Sequence, residues 1–337
     1  MQVVPHSLTS ARSKDDCTVR SWIADNSSKK EDDYAYDSKN FDPSFSRLDS
    51  FSNPARGAEP AVLCGGKVPF TTIQSALKFV NPSIRNTIIV SGTCNENVLI
   101  RGFDHLTLKA KPGATINDAS GGTGSVLDIE QSGDVTVEGF KINGGAIGIF
   151  CSRFSTCTIN GNTVQGAASA GIQFVQSKGT LDTNTLQNDG LGLAVLESSS
   201  VRTFGGNLIQ NNSNDGVGVD TGGSFASFGD TIRDNGGSGI GLNHGFALLL
   251  GTSVTGNSAN GVTVLSRSAV DFESADVVTN NGASGVFLRD LSYVEFRGTS
   301  TVTGNFSGLD VACFPQFPAT RGALTNTGGG ITNCTEP

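Results

Sequence analysis

Apolar residues return along this chain at nearly constant spacing: Ile142, Val164, Leu186, Ile209, Ile232, Val254, Val278 and Val302 stand 22 to 24 residues apart. A Gly-apolar-x-apolar run keeps the same period, as Gly171-Ile-Gln-Phe, Gly190-Leu-Gly-Leu, Gly216-Val-Gly-Val, Gly239-Ile-Gly-Leu, Gly261-Val-Thr-Val, Gly285-Val-Phe-Leu and Gly308-Leu-Asp-Val. A fixed period of this size predicts a stack of one supersecondary unit. Within the units apolar and polar residues alternate, as in Val270-Asp-Phe-Glu and Val294-Glu-Phe-Arg, which is the period of a half-buried strand. Gly, Asn, Ser and Asp fall between the alternating stretches, where turns need positive φ and side chain–backbone hydrogen bonds.

A unit of about 23 residues is too short for a propeller blade of roughly 40, and it lacks the Leu-x-x-Leu-x-Leu core of a leucine-rich repeat. One coil of a parallel β-helix fits, with two or three short strands that each pair with their equivalents in the next coil. Coils stack about 4.8 Å apart, so equivalent residues pile into columns. Asn212, Asn235, Asn257, Asn281 and Asn305 then predict an internal amide ladder. Leu248, Phe272 and Phe296, each 24 apart, predict an apolar stack inside, and most of the Phe residues read as core.

The ends differ in kind. Residues 1–60 are polar, carry no repeat and predict a disordered or loosely attached leader, in which no basic-then-apolar signal peptide is visible. Residues 61–312 hold the β-helix. At its start, residues 70–80 place Phe70, Ile73, Leu77 and Val80 on one helical face, with Pro82 just beyond. A short helix there would cap strand edges that an open coil exposes. Residues 313–337 break the repeat and predict a second cap.

Charge and composition narrow the partners. A net charge of −8 without a basic stripe excludes nucleic acid as the expected partner. It also opposes a polyuronate unless a metal bridges the like charges. No run of eighteen apolar residues predicts a membrane span. The pattern leaves the oligomeric state open.

Six of the seven cysteines fall as neighbours: Cys64 with Cys94, Cys151 with Cys157, and Cys313 with Cys334. Six cysteines allow fifteen connectivities, so neighbour pairing is a preference, with buried free thiols as the alternative. Paired, they would staple the two ends and one turn and would mark an oxidising compartment, extracellular or periplasmic.

The helix of residues 70–80, the stretch Ile88-Ile-Val-Ser-Gly-Thr-Cys-Asn-Glu-Asn-Val-Leu-Ile100 and the Gly/Asn coils resemble the pectate-lyase-like superfamily. The resemblance spans roughly residue 62 to the C-terminus. It implies an all-β fold, a right-handed single-stranded parallel β-helix of about 9–11 coils. That superfamily includes lyases, hydrolases, esterases, epimerases and adhesins. Of the hydrolase motifs only Asn243-His244-Gly245 echoes one, so the resemblance implies the fold and leaves the activity to the residues.

Two columns carry candidate chemistry. The turn after each Gly-apolar-x-apolar strand supplies Lys178, Glu197, Asp220, His244, Arg267 and Arg289. His244, Arg267, Asp220 and Glu197 are the catalytic candidates, as proton donor, acceptor and anion clamp; Lys178 and Arg289 are the substrate-binding ones. Asp271 and Glu295, 24 apart on an outward phase, would share a proton or recruit Ca²⁺, with Glu273 and Arg297 pairing beside them. Against both columns stands the plainer reading of solvated turns and a neutralised patch. Together these features predict a secreted protein associated with a polysaccharide, either a lyase or a glycoside hydrolase working along one face. A non-catalytic extracellular or cell-surface rod is the alternative.

Overall fold

The computed structural model describes residues 59–335 apart from residues 68, 316–319 and 323–324. The predicted leader, with Cys17, lies outside them but for its last two residues. The described chain is a parallel β-solenoid. Ten strands, from Val98–Arg101 to Val311–Phe314, stack into one sheet, here the front. The remaining strands form a flank and a rear surface, joined through the long strand Asn86–Asn95, which bends round the corner between them. Every strand pair is parallel and links equivalent positions of successive coils; Ile172, for example, lies between Ile149 and Leu193. Ten coils at about 4.8 Å make a rod on the order of 43 Å.

The periodic apolar residues are the rear wall of the core. Ile142, Val164, Leu186, Ile209, Ile232, Val254, Val278 and Val302 stand in unbroken register, all without solvent exposure. On the flank, the Phe272 and Phe296 rings stack 4.6 Å apart inside. The third member of that stack is Leu249 rather than the expected Leu248, which instead aligns with Asp271 on the outer side. The turn before Leu249 has two residues, His244 and Gly245, and the next has three, Ser266 to Ser268, so a constant spacing of 24 slips by one. Phe likewise divides between core and surface: Phe140, Phe174 and Phe225 are buried, whereas Phe79, Phe154, Phe204, Phe246, Phe306 and Phe314 are exposed.

The glycine signature has a steric cause. Its true column is Gly148, Gly171, Gly192, Gly216, Gly239, Gly261 and Gly285, ending at Asp310, so the runs starting at Gly190 and Gly308 are two residues out of register. A Cβ at Gly216 would sit 2.6 Å from Ile232 Cγ2 and 2.8 Å from the Gly239 carbonyl oxygen. The front strand begins against the rear wall, and no side chain fits between them.

Each corner is held by a column of buried polar side chains, because the turning backbone needs partners that water cannot supply. Between rear and front, the expected Asn ladder runs from Asn212 to Asn305. Each Oδ1 accepts the N–H and Nδ2 of the preceding member at 2.9–3.1 Å. Between flank and rear, Asn162, Asn184, Asn207 and Asp230 form a second ladder. Between front and flank, Ser132 N–H donates to Ser155 Oγ, and Ser177 N–H to Ser199 Oγ.

The ends are closed by the chain itself. The helix Ile73–Phe79 buries Ile73, Ala76 and Leu77 over the first coil. Thr72 Oγ1 accepts the Ser75 N–H, and the Glu96 carboxylate accepts the N–H groups of Ile73 and Gln74 at 2.7 and 3.1 Å. Two orphan donors of the first turn are thereby satisfied from the solenoid below. Disulfides join Cys64 to Cys94 beside this cap, Cys151 to Cys157 across a front–flank turn, and Cys313 to Cys334 at the far end. There the strand Thr320–Arg321 still extends the flank, pairing with Tyr293–Phe296.

Candidate functional site

The six residues expected in one turn column occupy four different positions of the coil. Asp220 and Arg289 end front strands. Glu197 and His244 are the first turn residues, at φ 49° and 56°; Arg267 is a second turn residue, at φ 60°. Lys178 opens the flank strand Lys178–Asp182, in register with Ser200. Five of them separate into three hollows. Lys178 and Glu197 line a cleft of about 790 Å³ with Phe154, Gln176, Ser198 and Thr221. His244 and Arg267 line one of about 400 Å³ with Asp290 and Leu291. Asp220 belongs to a third, on the front face, of about 260 Å³. Arg289 pairs with Asp290 at 2.9 Å. The catalytic quartet is therefore not assembled as one site: Asp220 and Glu197 line different hollows from His244 and Arg267.

The cleft beside Lys178 is overhung by Phe154, which is 83% exposed and held at φ 66°. A bulky side chain there is unusual, and Arg153 before it is also left-handed, at 53°. The Cys151–Cys157 bridge spans this turn. Gln176 Nε2 donates to Glu197 Oε2 at 3.1 Å across the cleft.

Asp271 and Glu295 are register neighbours as expected, but the space between their carboxylates is filled by a cation from the chain. Arg297 places Nη2 2.8 Å from Asp271, Nη1 3.1 Å from Glu273 and Nε 3.6 Å from Glu295. Arg321 reaches Glu295 from the other side at 3.5 Å. Burial pushes the Asp271 carboxyl up, and the Arg297 guanidinium pulls it back. A Ca²⁺ ion needs six to eight oxygens and would have to displace Arg297 to reach these, so the pair expected as a metal site is a guanidinium-clamped surface patch.

The hollow on the front face is one that sequence reasoning passed over. The middle outward position of the front strands reads, coil by coil, Asp128, Phe150, Gln173, Ala194, Gly218, Gly241, Thr263 and Phe287. The side chains shrink to nothing at mid-face and grow again, which leaves a trough walled by Leu191, Leu196 and Leu265. Asp215 is aimed into it: a Cβ on Gly241 would lie 2.4 Å from its Oδ2. Its Oδ1 accepts the Ser238 N–H at 2.6 Å, while burial pushes its carboxyl above the ordinary range. Asp220 Oδ1 accepts from Asn243 Nδ2 at 3.2 Å and from the Thr221 N–H at 2.6 Å. Gly218 and Gly241 were visible as the x of Gly-Val-x-Val and Gly-Ile-x-Leu; the missing signal was that x points outward.

Toward the N-terminal end of the same face, buried Glu130 pairs with Arg101 and, at 2.9 Å, with Arg153. Burial and the neighbouring Glu130 push the Asp128 carboxyl up, and its Oδ1 is buried without a hydrogen-bond partner. The face thus changes from charged to apolar-walled along its length.

Comparison with known proteins agrees with this architecture. A family model described as a right-handed β-helix region matches residues 125–277. Pectate lyase Pel9A superposes with a TM-score of 0.61 at 12% identity, covering 82% of each chain. The A-module of the mannuronan C-5 epimerase AlgE6 of Azotobacter vinelandii gives 0.52 at 18% identity, over 72% of this chain and 74% of that one. The periplasmic alginate epimerase AlgG gives 0.52 at 14%, over 83% and 84%. A cell surface glycoprotein of Methanothermus fervidus is 36% identical over 126 residues, which are 37% of this chain and 20% of that protein. Parallel coils, inward ladders and these likenesses together make the chain a right-handed parallel β-helix protein of pectate-lyase-like fold.

Proposed function

We propose that this is an exported, polysaccharide-associated β-helix protein that lays an extended glycan along the outer face of its front sheet. The trough at Gly218 and Gly241 carries the reading. Leucine walls suit the apolar faces of sugar rings, and Asp215, Asp220 and Asn243 offer donors and acceptors for hydroxyls. Similar folds named for pectate and mannuronan support a glycan as ligand. Three disulfides and a cell-surface relative support export.

Affinity electrophoresis through gels containing neutral or uronate polysaccharides, with and without Ca²⁺, tests the reading. Gly218 tolerates a side chain, since a Cβ there meets nothing closer than Leu191 at 3.7 Å. Gly218→Leu should fill the trough and weaken retention at least about tenfold, or ~1.4 kcal/mol, without changing the melting temperature. Retention by no glycan, or retention indifferent to Gly218→Leu, would leave a spacer rod as the better description.

One observation favours catalysis at the same place. A carboxyl whose hold on a proton is strengthened by burial, as at Asp215, leans toward the role of protonating a leaving glycosidic oxygen, with Asp220 at the end of the strand that follows it as the second carboxylate. Asp215→Asn should then retain binding and abolish new reducing or unsaturated ends.

A further inference from the structure

Asn-x-Ser/Thr, with any residue but Pro in the middle, is the acceptor triplet for N-linked glycans on exported proteins. Three such triplets fall on described residues: Asn211-Asn212-Ser213, Asn305-Phe306-Ser307 and Asn333-Cys334-Thr335; Asn26-Ser27-Ser28 lies outside them. The fold treats the three very differently.

Asn305 is the last amide of the rear–front ladder and only 8% exposed. Its Nδ2 spends both hydrogens, on the Val278 carbonyl at 3.1 Å and on Asp310 Oδ1 at 2.9 Å. A sugar on that nitrogen would remove one bond and force the last coil open. Asn333 is pinned at both ends of its amide, accepting the Cys313 N–H at 2.8 Å and donating to the Cys313 carbonyl at 3.2 Å, beside the Cys313–Cys334 bridge. Asn211 is the opposite case. It is exposed, it is the first residue after the rear strand Leu208–Gln210, and its side chain makes no hydrogen bond among the described residues. Ser213 is exposed as well, its N–H and its Oγ both donating to the Asp189 carbonyl, at 2.8 and 3.3 Å.

Asn211 shares its left-handed conformation, φ 55°, with Asn188, Asp234 and Asn280 at the same place in other coils. That conformation accounts for a small polar residue in the column, since Asn visits the left-handed region readily. It does not account for a hydroxyl two residues on, which Asn188-Asp-Gly and Asn280-Asn-Gly lack. The same turn ends at Asp215, so its rear end offers a free amide while its front end faces the trough.

We propose that Asn211 is an N-glycan acceptor. Oligosaccharide transfer from a lipid-phosphate-linked donor forms the bond from Asn211 Nδ2 to the sugar C1. The C1–O bond to the lipid phosphate breaks, the phosphate leaves with its electron pair, and the amide proton passes to a base of the transferase. No oxidation or reduction is involved. The inference rests on the export reading, and the test removes that dependence by imposing export.

The full chain is secreted behind an added signal sequence from cells that perform N-glycosylation. The folded product is treated with N-glycosidase in heavy-oxygen water, which marks each formerly glycosylated Asn as heavy Asp. The expected mark among the described residues is at Asn211, lost in both Asn211→Gln and Ser213→Ala, with Asn305 and Asn333 unmarked. Secreted, disulfide-bonded protein with Asn211 unmarked overturns the proposal, as does a mark that survives Ser213→Ala. Gel retention by glycans, measured on the same samples, reports separately on the trough.

Discussion

Asp189 donates its backbone N–H to Asn212 Oδ1 at 3.0 Å but has no side-chain hydrogen to add, where Asn212, Asn235, Asn257 and Asn281 above it each donate Nδ2 to the next amide. Its Oδ1 accepts the Ala167 N–H at 2.7 Å; its Oδ2 is buried without a partner in a residue 2% exposed. Protonation makes Asp189 an imitation of Asn, with an O–H where the ladder expects an N–H.

Burial pushes the Asp189 carboxyl from 3.8 up to about 7, against the pull of the Ala167 N–H. Asp276, buried at the flank–rear corner, moves the same way, to about 6. A folded value above the unfolded one means that the fold holds more protons between them, so the stability these two carboxyls contribute is full below about pH 4 and is lost as pH rises through about 6 and about 7. Urea unfolding midpoints at pH 5 and pH 8 should show this loss. Asp189→Asn should shrink it and add about 1 kcal/mol at pH 8 by completing the ladder. A variant no more stable than the parent at pH 8 would show that Oδ2 is not the defect.

The ladder itself should be costly to break. Asn257 Oδ1 accepts the N–H and Nδ2 of Asn235, and its Nδ2 donates to Asn281. Asn257→Leu removes the acceptor for two buried donors, each costing about 1–3 kcal/mol when unsatisfied. Hydrogen exchange should locate the loss at the corner amides of Asn235 and Gly236, with distant coils protected as before. Uniform deprotection along the rod would contradict that.

Why some of this was legible in sequence and some not follows from what repeats. The rear column and the Asn ladder were readable because strand pairing places each member directly on the last, and only apolar residues or a paired amide can fill those positions. The Ser corner and the second ladder, Asn162 to Asp230, obey the same rule. They were missed because Gly223 and Gly245 interrupt the first and an acid ends the second. The turn column failed for a different reason. Solvated corners vary between two and three residues, so Lys178, Glu197 and Arg267 follow their leading glycines at similar distances without sharing a place. The trough was illegible because its signal is a side chain that is missing.

The one-residue slip on the flank can be tested directly. Leu249, fully buried above Phe272, should lose about 2–5 kcal/mol on truncation to Ala. Leu248, aligned with Asp271 outside, should lose less than about 1 kcal/mol. Chemical denaturation of the two variants side by side decides the register, and a larger loss at Leu248 would restore the constant spacing of 24.

Arg297 explains why stacked carboxylates at Asp271, Glu273 and Glu295 need no metal. Removing it, as Arg297→Gln, leaves three acids facing one another about one coil spacing apart. The variant should melt lower than the parent, and the gap should widen as pH rises and the carboxylates ionise. Millimolar Ca²⁺ should then raise the melting temperature of Arg297→Gln through binding to the folded form, while the parent, whose guanidinium already occupies the site, should not respond. Differential scanning fluorimetry with Ca²⁺, and with Mg²⁺ as the smaller and stricter ion, reads both effects. A Ca²⁺ response in the parent equal to that of the variant would mean that the ion displaces Arg297 and that these carboxylates are a metal site after all.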